Sequence, residues 1–462
     1  MTGSRDVSSS MTFGAKAGYG VGMSGLWLTH MTVAVYLFYY YTDVFGISPA
    51  QAGTIFFAAT MWDAVTDPLM GWMASRTRAK LGRYRPYILF GGAPLAVCFL
   101  LMFIRPDLAG VGLFAYALGA HLLFKTAFTV VYIPYTAMIA QLSFDADERA
   151  SIAGVKTVFI ALGSLVVAFF GLPLIDAFGG GDDRKGFFLV AALFAVGAAS
   201  ALTLCGAITR ERAADASSAS ESRDTETSSP FEALSLLVRN GAFVKVFLGV
   251  IVFTGCYTIL NKLTVYHFQY NLNARADARW ALSAISLAGV IAPMIWAAIT
   301  ARTGKRFVWI AGAMIAAASL VSFYILNPKS VAVISGFYFV AGIGIMGVLM
   351  TFYAMAADTI DYGEWKDGRR AEAIGFGVLS FANKTSLAIG GGLLGVLLSA
   401  IGYVSGETQT EETLEGIRLS LAVLPAVGFL LSAIVISFFK LSAARHRKII
   451  ADISARRRDA AT

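Results

Sequence analysis

Long apolar runs separated by short polar breaks recur along the whole of this 462-residue chain. Each run is about as long as a helix that crosses a bilayer, roughly 20 residues, and we count about twelve of them. Only 14% of the residues are charged, against roughly a quarter in soluble proteins. Runs of this length and composition indicate transmembrane helices. The chain is therefore predicted to be an all-α membrane protein.

A Ser-rich, charged segment around Ala214–Ser222 interrupts the series after the sixth run and is typical of a flexible linker. The basic turn after the second span has a counterpart after the eighth, at Ala301–Arg306, and such a parallel repeat is typical of the major facilitator fold. We therefore predict a major facilitator fold with 12 transmembrane helices in two six-helix bundles. The predicted divisions are an N-terminal bundle (1–208), a cytoplasmic linker (209–241), a C-terminal bundle (242–441) and a basic cytoplasmic tail (442–462).

The basic residues, which give the chain a net charge of +8, lie in alternate loops and in the C-terminal tail. Positive residues in alternate short loops mark the cytoplasmic side, so both termini are predicted to be cytoplasmic. The predicted location is the cytoplasmic (inner) membrane of a bacterium. The same placement argues against nucleic-acid binding. Cys98, Cys205 and Cys256 lie within apolar segments, which indicates neither a disulfide framework nor a paired metal site.

Two carboxylates interrupt the apolar run from Ala50 to Met73. Asp63 and Asp67 are four residues apart and share one face of a helix, with Cβ atoms roughly 5–6 Å from each other. Two ionised carboxylates at that depth are costly unless a cation lies between them or one is protonated. The pair therefore indicates a coupling-ion site. The alternative is a carboxylate paired with a basic residue on another helix.

Short motifs along the chain resemble those of one transporter family. They are Tyr39–Val44, Trp62–Pro68, Gly82–Pro86, Tyr132–Tyr135, Ala357–Glu364 and the helix leading to Lys384. Together they resemble the glycoside–pentoside–hexuronide:cation symporters, the melibiose permease family of the major facilitator superfamily. The resemblance implies a secondary symporter that imports a small organic solute with H⁺ or Na⁺ by alternating access. The solute would be a sugar, a glycoside or a sugar acid.

The resemblance also implies roles for individual residues. Asp63 and Asp67 would bind the cation, with Na⁺ as one candidate, and Thr129 would assist them. Lys384 would link the cation and substrate regions. Thr66 stands where the sodium-using carriers often have an asparagine. Because a hydroxyl is a weaker Na⁺ ligand than an amide carbonyl, Thr66 joins the predicted cation ligands while the choice between H⁺ and Na⁺ stays open.

Aromatic and cationic residues at helical spacing predict a substrate cavity. Trp27 and Tyr132 align with the two sugar-binding acids of the melibiose permease, so galactoside specificity is not expected. The predicted substrate-binding residues are Trp27, His30, Phe128, Tyr132, Lys156, Asn261, Lys262, Met350, Tyr353, Ser380, Asn383 and Lys384. They suit a glycoside stacked on Trp27, or an anionic, amphiphilic or lipid-like substrate. For any one aromatic residue, ordinary helix packing is the alternative.

Charged residues in the cytoplasmic loops predict an ion-pair lock for the outward-facing state. The gating residues are Arg76, Arg78, Arg85, Asp358, Asp361 and Glu364. An ordinary solvated loop is the alternative interpretation.

Two other classes of function compete with a carrier. A membrane enzyme would use the acid pair as metal ligands or as an acid–base pair, but the intramembrane histidines lack metal-ligand spacing to the acids and no nucleophile motif occurs. A channel or a receptor that does not transport is the other class. We predict no enzyme activity and no cofactor. The predicted partners are the solute, the coupling cation and the lipid bilayer, and the chain is predicted to be a monomer.

Overall fold

The computed structural model describes residues 11–143, 145–209, 211, 230–368 and 372–461. Within these ranges the secondary structure consists of helices joined by short turns, and no strand occurs. The prediction of an all-α chain is therefore confirmed.

Among the described residues, seven α-helices precede the linker region and eight follow it. The first set is α1 (Phe13–Val35), α2 (Leu37–Tyr39), α3 (Pro49–Arg76), α4 (Arg85–Leu101), α5 (Gly110–Leu142), α6 (Ala146–Gly179) and α7 (Asp183–Ile208). The second set is α8 (Pro230–Arg239), α9 (Gly241–Tyr266), α10 (Ala278–Thr303), α11 (Lys305–Leu326), α12 (Val331–Asp367), α13 (Glu372–Ala400), α14 (Glu411–Ser437) and α15 (Ala443–Ala461). Short π-helical turns extend α2 (Tyr40–Phe45) and α9 (His267–Asn271).

Nine of the described helices are long and apolar enough to cross a membrane, and the count is ten if α1 and its bent continuation form one span. Helices α3 and α4 complete the twelve predicted spans. Helix α3 has 28 residues but contains Asp63 and Asp67, which lower its hydropathy. Helix α4 is apolar and has 17 residues. The predicted set of spans thus reappears as helices.

Polar residues that precede several of these helices explain where they begin. The side chains of Asp145, Asp182, Asn240 and Thr410 accept hydrogen bonds from backbone N–H groups in the first turns of α6, α7, α9 and α14. These N–H groups have no partner inside the helix, so a capping oxygen stabilises its start. Helix α6 is capped by Gly180, whose φ of 57° is the left-handed conformation that glycine adopts without a steric penalty.

The chain divides into two compact units. Unit 1 comprises Met1–Tyr40 and Trp62–Ala216, and unit 2 comprises Tyr41–Met61 and Ser217–Thr462. The boundaries of unit 1 fall inside the π-helical turn after α2 and inside α3, so the first half of α3 belongs to unit 2. The predicted domain limits at 208/209, 241/242 and 441/442 stay predictions, and residues 210 and 212–229 of the predicted linker lie outside the described residues.

In unit 1, α1 packs against α6 and α7, and α4 packs against α5 and α7. Tyr19 of α1 and Tyr135 of α5 stack with ring centroids 4.4 Å apart. Each hydroxyl donates a hydrogen bond to the backbone carbonyl of the other residue. This reciprocal pair fixes α1 against α5, the two helices that carry the predicted substrate-binding aromatic residues.

In unit 2, α12 packs against α10 and α11, and α14 packs against α9 and α11. Glycines permit close approach of α11 and α12, since a Cβ on Gly312 of α11 would lie 2.5 Å from the carbonyl oxygen of Gly344 of α12. The buried indole of Trp309 donates to Ser432 Oγ at 3.0 Å, and Ser432 donates to the carbonyl of Gly249 at 3.0 Å. This chain of bonds ties α11, α14 and α9 together.

Candidate functional site

The acid pair lies on the half of α3 that belongs to unit 1, facing α5. Thr129 Oγ1 of α5 is 2.8 Å from Asp63 Oδ1 and 2.8 Å from Asp67 Oδ1. Asp63 and Thr129 are buried, and Asp67 is half-buried. The structure thus brings together three of the four residues that were predicted to bind the cation. Their role as cation ligands stays a prediction.

The two contacts of Thr129 constrain the charge of this site. A hydroxyl carries one proton, so Thr129 can donate to only one carboxylate at a time. The other 2.8 Å contact is favourable only if that carboxyl group is protonated and donates to Thr129, or if a cation lies beside both oxygens. The geometry therefore suits a site that binds and releases one proton or one monovalent cation.

Lys125 is part of this site, although sequence reasoning did not identify it. Its Nζ lies 3.4 Å from Asp63 Oδ2, and both side chains are about nine-tenths buried. Lys125 precedes Thr129 by four residues, so both project from one face of α5. The signal was available: a lysine inside an apolar span is rare and is usually functional.

Two further contacts describe how α3 meets α5. Trp62 Nε1 donates to Thr126 Oγ1 at 2.9 Å, which fixes the height of one helix against the other. The predicted ligand Thr66 donates instead toward the carbonyl oxygen of Asp63 in its own helix, at 3.4 Å. In this arrangement the Thr66 hydroxyl is directed along α3 and does not bridge the two carboxylates.

The predicted aromatic residues of unit 1 form one cluster. Trp27 and His30 of α1 have ring centroids 5.0 Å apart, and His30 lies 5.3 Å from Phe128 of α5. Phe128 stacks on Tyr132 at 5.3 Å, and Trp27 lies 6.3 Å from Tyr132. Gly163 of α6 leaves room for this cluster, since a Cβ there would lie 3.0 Å from the Cβ of Trp27. The faces of α1 and α5 that were predicted from spacing do converge.

The remaining predicted substrate residues lie on α6 or in unit 2. Lys156 of α6 is half-buried. Lys262 of α9 is buried, with its Nζ 3.8 Å from the centroid of the Phe56 ring. Asn261 donates to the carbonyl of Tyr257 in its own helix at 3.1 Å. Such contacts are compatible with local packing as well as with a binding role.

On α12 and α13 the predicted residues differ in exposure. Met350 packs against the buried cluster around Trp296, and Tyr353 is 49% exposed. Ser380 is exposed, and Asn383 and Lys384 are half-buried. That these residues and the aromatic cluster of unit 1 form a single cavity stays a prediction.

Two of the predicted gating residues of unit 1, Arg85 and Arg76, have partners within that unit. Arg85 donates to the carbonyls of Gly206 and Ala207 at 2.7 and 3.2 Å, and so satisfies free acceptors at the end of α7. The guanidinium of Arg76 lies 4.1 Å from the centroid of the Trp72 ring. Arg78 is exposed.

Two of the predicted gating acids on α12, Asp358 and Asp361, also have partners within their unit. Lys305 Nζ contacts the two carboxylate oxygens of Asp358 at 2.7 and 2.8 Å. His446 Nε2 lies 3.0 Å from Asp361, and Glu364 is buried. Sequence reasoning did not identify Lys305 and His446 as partners. The ion-pair lock itself stays a prediction.

A second polar cluster surrounds Asp43, in the part of the π-helical turn that belongs to unit 2. The Asp43 carboxylate accepts hydrogen bonds from the hydroxyls of Thr42 and Tyr403, both at 2.5 Å, and from the Tyr270 hydroxyl. Ser405 donates to the carbonyl of Thr42 at 2.5 Å. Tyr403 lies in the turn after α13, where burial, followed by the charge of Asp43, raises the pKa of its hydroxyl above the ordinary value. Tyr403 is therefore a neutral donor to the carboxylate.

Sequence reasoning quoted the Tyr39–Val44 motif for its resemblance but gave Asp43 no role. Its tyrosine partners lie 227 and 360 residues further along the chain, so no local spacing could have found them. We name Asp43 with Thr42, Tyr270, Tyr403 and Ser405 the Asp43 cluster.

Comparison with known proteins identifies the family. The chain matches the MFS/sugar transport protein family over residues 18–443. It is 33% identical to the isoprimeverose transporter of Lactiplantibacillus pentosus over 436 residues, which cover 92% of this chain and 88% of that protein. It is 30% identical to the uncharacterized symporter YnaJ of Bacillus subtilis over 445 residues, which cover 96% and 94% of the two chains.

Among solved structures, the fold is similar to that of a bacterial homologue of the human lysosomal transporter Spinster in its inward-facing, unoccupied conformation. The TM-score is 0.72 at 13% identity, and the match covers 94% of this chain and 97% of that one. This likeness concerns the fold and confirms the predicted major facilitator architecture. The relatives are membrane transporters. This confirms the prediction of a carrier and excludes the alternative of a membrane enzyme. The resemblance to the glycoside–pentoside–hexuronide:cation symporters is thus confirmed, and the chain belongs to the MFS/sugar transport protein family.

Proposed function

We propose that the protein imports a sugar-type solute together with a cation by alternating access, with the cation bound by Asp63, Asp67 and Thr129. The observation that carries this proposal is the Thr129 hydroxyl, 2.8 Å from both carboxylates in a buried part of the helix pair. Two carboxylates that share one hydroxyl in a low-dielectric setting favour a bound cation. Occupancy of the site can therefore bias the conformation of the transporter.

Helix α5 supports coupling between cation and solute. One face, with Lys125 and Thr129, meets the acid pair on α3. The neighbouring face, with Phe128 and Tyr132, meets the aromatic residues of α1. A movement of α5 on cation binding would reach the aromatic cluster directly, because both faces belong to one rigid helix.

The aromatic cluster is the proposed sugar-contacting wall. Sugar rings present apolar C–H faces that stack on indole and phenol rings, and His30 and Tyr132 add polar atoms at the edge of the cluster. The isoprimeverose transporter among the relatives makes isoprimeverose the first solute to assay, followed by other glycosides and sugar acids.

The proposed location is the cytoplasmic (inner) membrane of a bacterium, with both termini in the cytoplasm and the lipid bilayer as the surrounding partner. The basic α15, with Arg445, Arg447 and Lys448, supports this orientation through the positive-inside rule. We propose the monomer as the functional unit.

Proteoliposomes that contain the purified protein test the proposal. An imposed inward H⁺ or Na⁺ gradient is expected to drive labelled isoprimeverose, or another sugar from a panel, above its outside concentration. An ionophore that collapses the gradient should return the sugar to equilibrium. If every sugar in the panel only reaches its outside concentration, with or without an imposed gradient, the protein is not a symporter. The absence of sugar counterflow into preloaded vesicles would favour a receptor that does not transport.

Replacement of Trp27 by alanine is expected to raise the KM for the transported sugar by roughly 2- to 10-fold, because an aromatic contact contributes about 0.5–1.5 kcal/mol. Turnover at saturating sugar should change little, since Trp27 does not touch the acid pair. Initial rates of uptake over a range of sugar concentrations measure this. Trp27→Phe is the matched control and should retain most of the affinity. Equal KM values in the alanine variant and the native protein would show that Trp27 does not contact the transported sugar.

A further inference from the structure

Lys125 lies too deep in the bundle to reach water along its own helix. About 22 Å of α5 precede it and about 26 Å follow it, at 1.5 Å per residue. The residue is 8% exposed. A lysine stem spans only about 6 Å, so its ammonium cannot escape to either membrane surface by snorkelling. Its charge has to be balanced at this depth, and the balancing group is Asp63.

The two carboxylate oxygens of Asp63 contact different side chains of α5. Its Oδ1 lies 2.8 Å from Thr129, and its Oδ2 lies 3.4 Å from the Lys125 ammonium. The Trp62–Thr126 hydrogen bond holds α3 and α5 in this register. The ammonium is therefore a fixed component of the acid pair's surroundings.

This placement has consequences for an alkali ion. Na⁺ and Li⁺ are hard cations that need several oxygen ligands, and Lys125 already uses one of the carboxylate oxygens. Any ion between Asp63 and Asp67 would also lie a few Å from a like charge. At an effective dielectric constant near 20, that repulsion lowers the affinity by on the order of 10²- to 10³-fold. A proton needs only one oxygen and no shell of ligands.

We infer that Lys125 is a built-in cation that excludes Na⁺ and Li⁺ from the acid pair, so that transport by this chain is independent of alkali ions. The inference rests on the proposed function, because it concerns the selectivity of the proposed cation site. The family resemblance allows H⁺ or Na⁺ as the coupling ion, and this inference leaves H⁺.

Binding of ²²Na⁺ to the purified full-length protein tests the inference without knowledge of the sugar. The native protein is expected to show no saturable binding that Li⁺ displaces. Lys125→Met keeps the length of the side chain and removes its charge, and it should bind ²²Na⁺ at least about 100-fold more tightly. Lys185→Met is the matched control, since Lys185 is exposed at the start of α7, and it should behave like the native protein.

Three results would overturn the inference. They are saturable Na⁺ binding by the native protein, no gain of binding in a folded Lys125→Met, and Na⁺ binding in that variant that survives addition of Asp67→Asn. If Lys125→Met does not fold, Lys125→Gln replaces it. If neither folds, the native protein decides, because saturable Na⁺ binding overturns the inference and its absence supports it. Failure of the proposed function is distinct, since it would appear as native proteoliposomes in which neither gradient drives accumulation.

Discussion

Asp63→Asn is expected to abolish gradient-driven accumulation of the transported sugar. Asparagine has the shape of aspartate but no charge, so it weakens the bond from Thr129 and leaves the Lys125 ammonium without its charged partner. For the cation, the loss of this buried charged ligand costs about 2–4 kcal/mol of binding free energy. A cost of that size weakens cation binding by roughly 30- to 1,000-fold. The accumulated sugar should then fall to its equilibrium level.

The same proteoliposomes separate energy coupling from sugar binding. Accumulation is measured under imposed H⁺ and Na⁺ gradients, and sugar counterflow is measured without a gradient. Counterflow should persist in Asp63→Asn, because the aromatic cluster does not include Asp63. Asp107→Asn is the matched control, since Asp107 is exposed in the turn between α4 and α5. Undiminished accumulation in Asp63→Asn would exclude Asp63 from the coupling site.

The spans and the core of the candidate site could be predicted from the sequence because both depend on local properties. A helix long enough to cross a bilayer is recognised from its composition. Asp63 and Asp67 share a face because they are four residues apart on one helix. The same reasoning placed Trp27 beside His30, and the structure has their rings 5.0 Å apart.

Contacts between helices could not be predicted in the same way. The Lys125–Asp63 pair depends on how α5 is rotated and raised against α3, which no pattern within either helix specifies. Thr66 shows the converse limit, because its type suggested a ligand while its hydroxyl is directed to a carbonyl of its own helix. The Asp43 cluster joins residues hundreds of positions apart.

The Asp43 cluster leads to the second large expected effect, which is on stability and turnover. Asp43→Leu removes the acceptor of three hydroxyl groups, from Thr42, Tyr270 and Tyr403. Hydrogen bonds to a charged group contribute about 1.5–3 kcal/mol each. We expect a total loss of about 3–5 kcal/mol, since the bonds share one carboxylate and are not additive.

This loss should be visible both in the melting temperature and in transport. The Asp43 cluster holds the turn after α2 against the ends of α9 and α13 within unit 2, and α3 follows that turn directly. Loosening it is expected to lower the Tm of the purified protein by on the order of 5 °C or more. Because alternating access needs well-defined end states, turnover should fall by roughly tenfold or more.

Two further variants show which property of Asp43 matters. Asp43→Asn keeps an acceptor oxygen without the charge, so its Tm and turnover should lie between those of the native protein and Asp43→Leu. Asp107→Leu places the same apolar side chain at an exposed position and controls for the substitution itself. If Asp43→Leu melts and transports like Asp107→Leu, the three hydroxyl contacts do not stabilise this part of unit 2. A graded loss from Asn to Leu would instead assign the stabilisation to hydrogen bonding at the carboxylate.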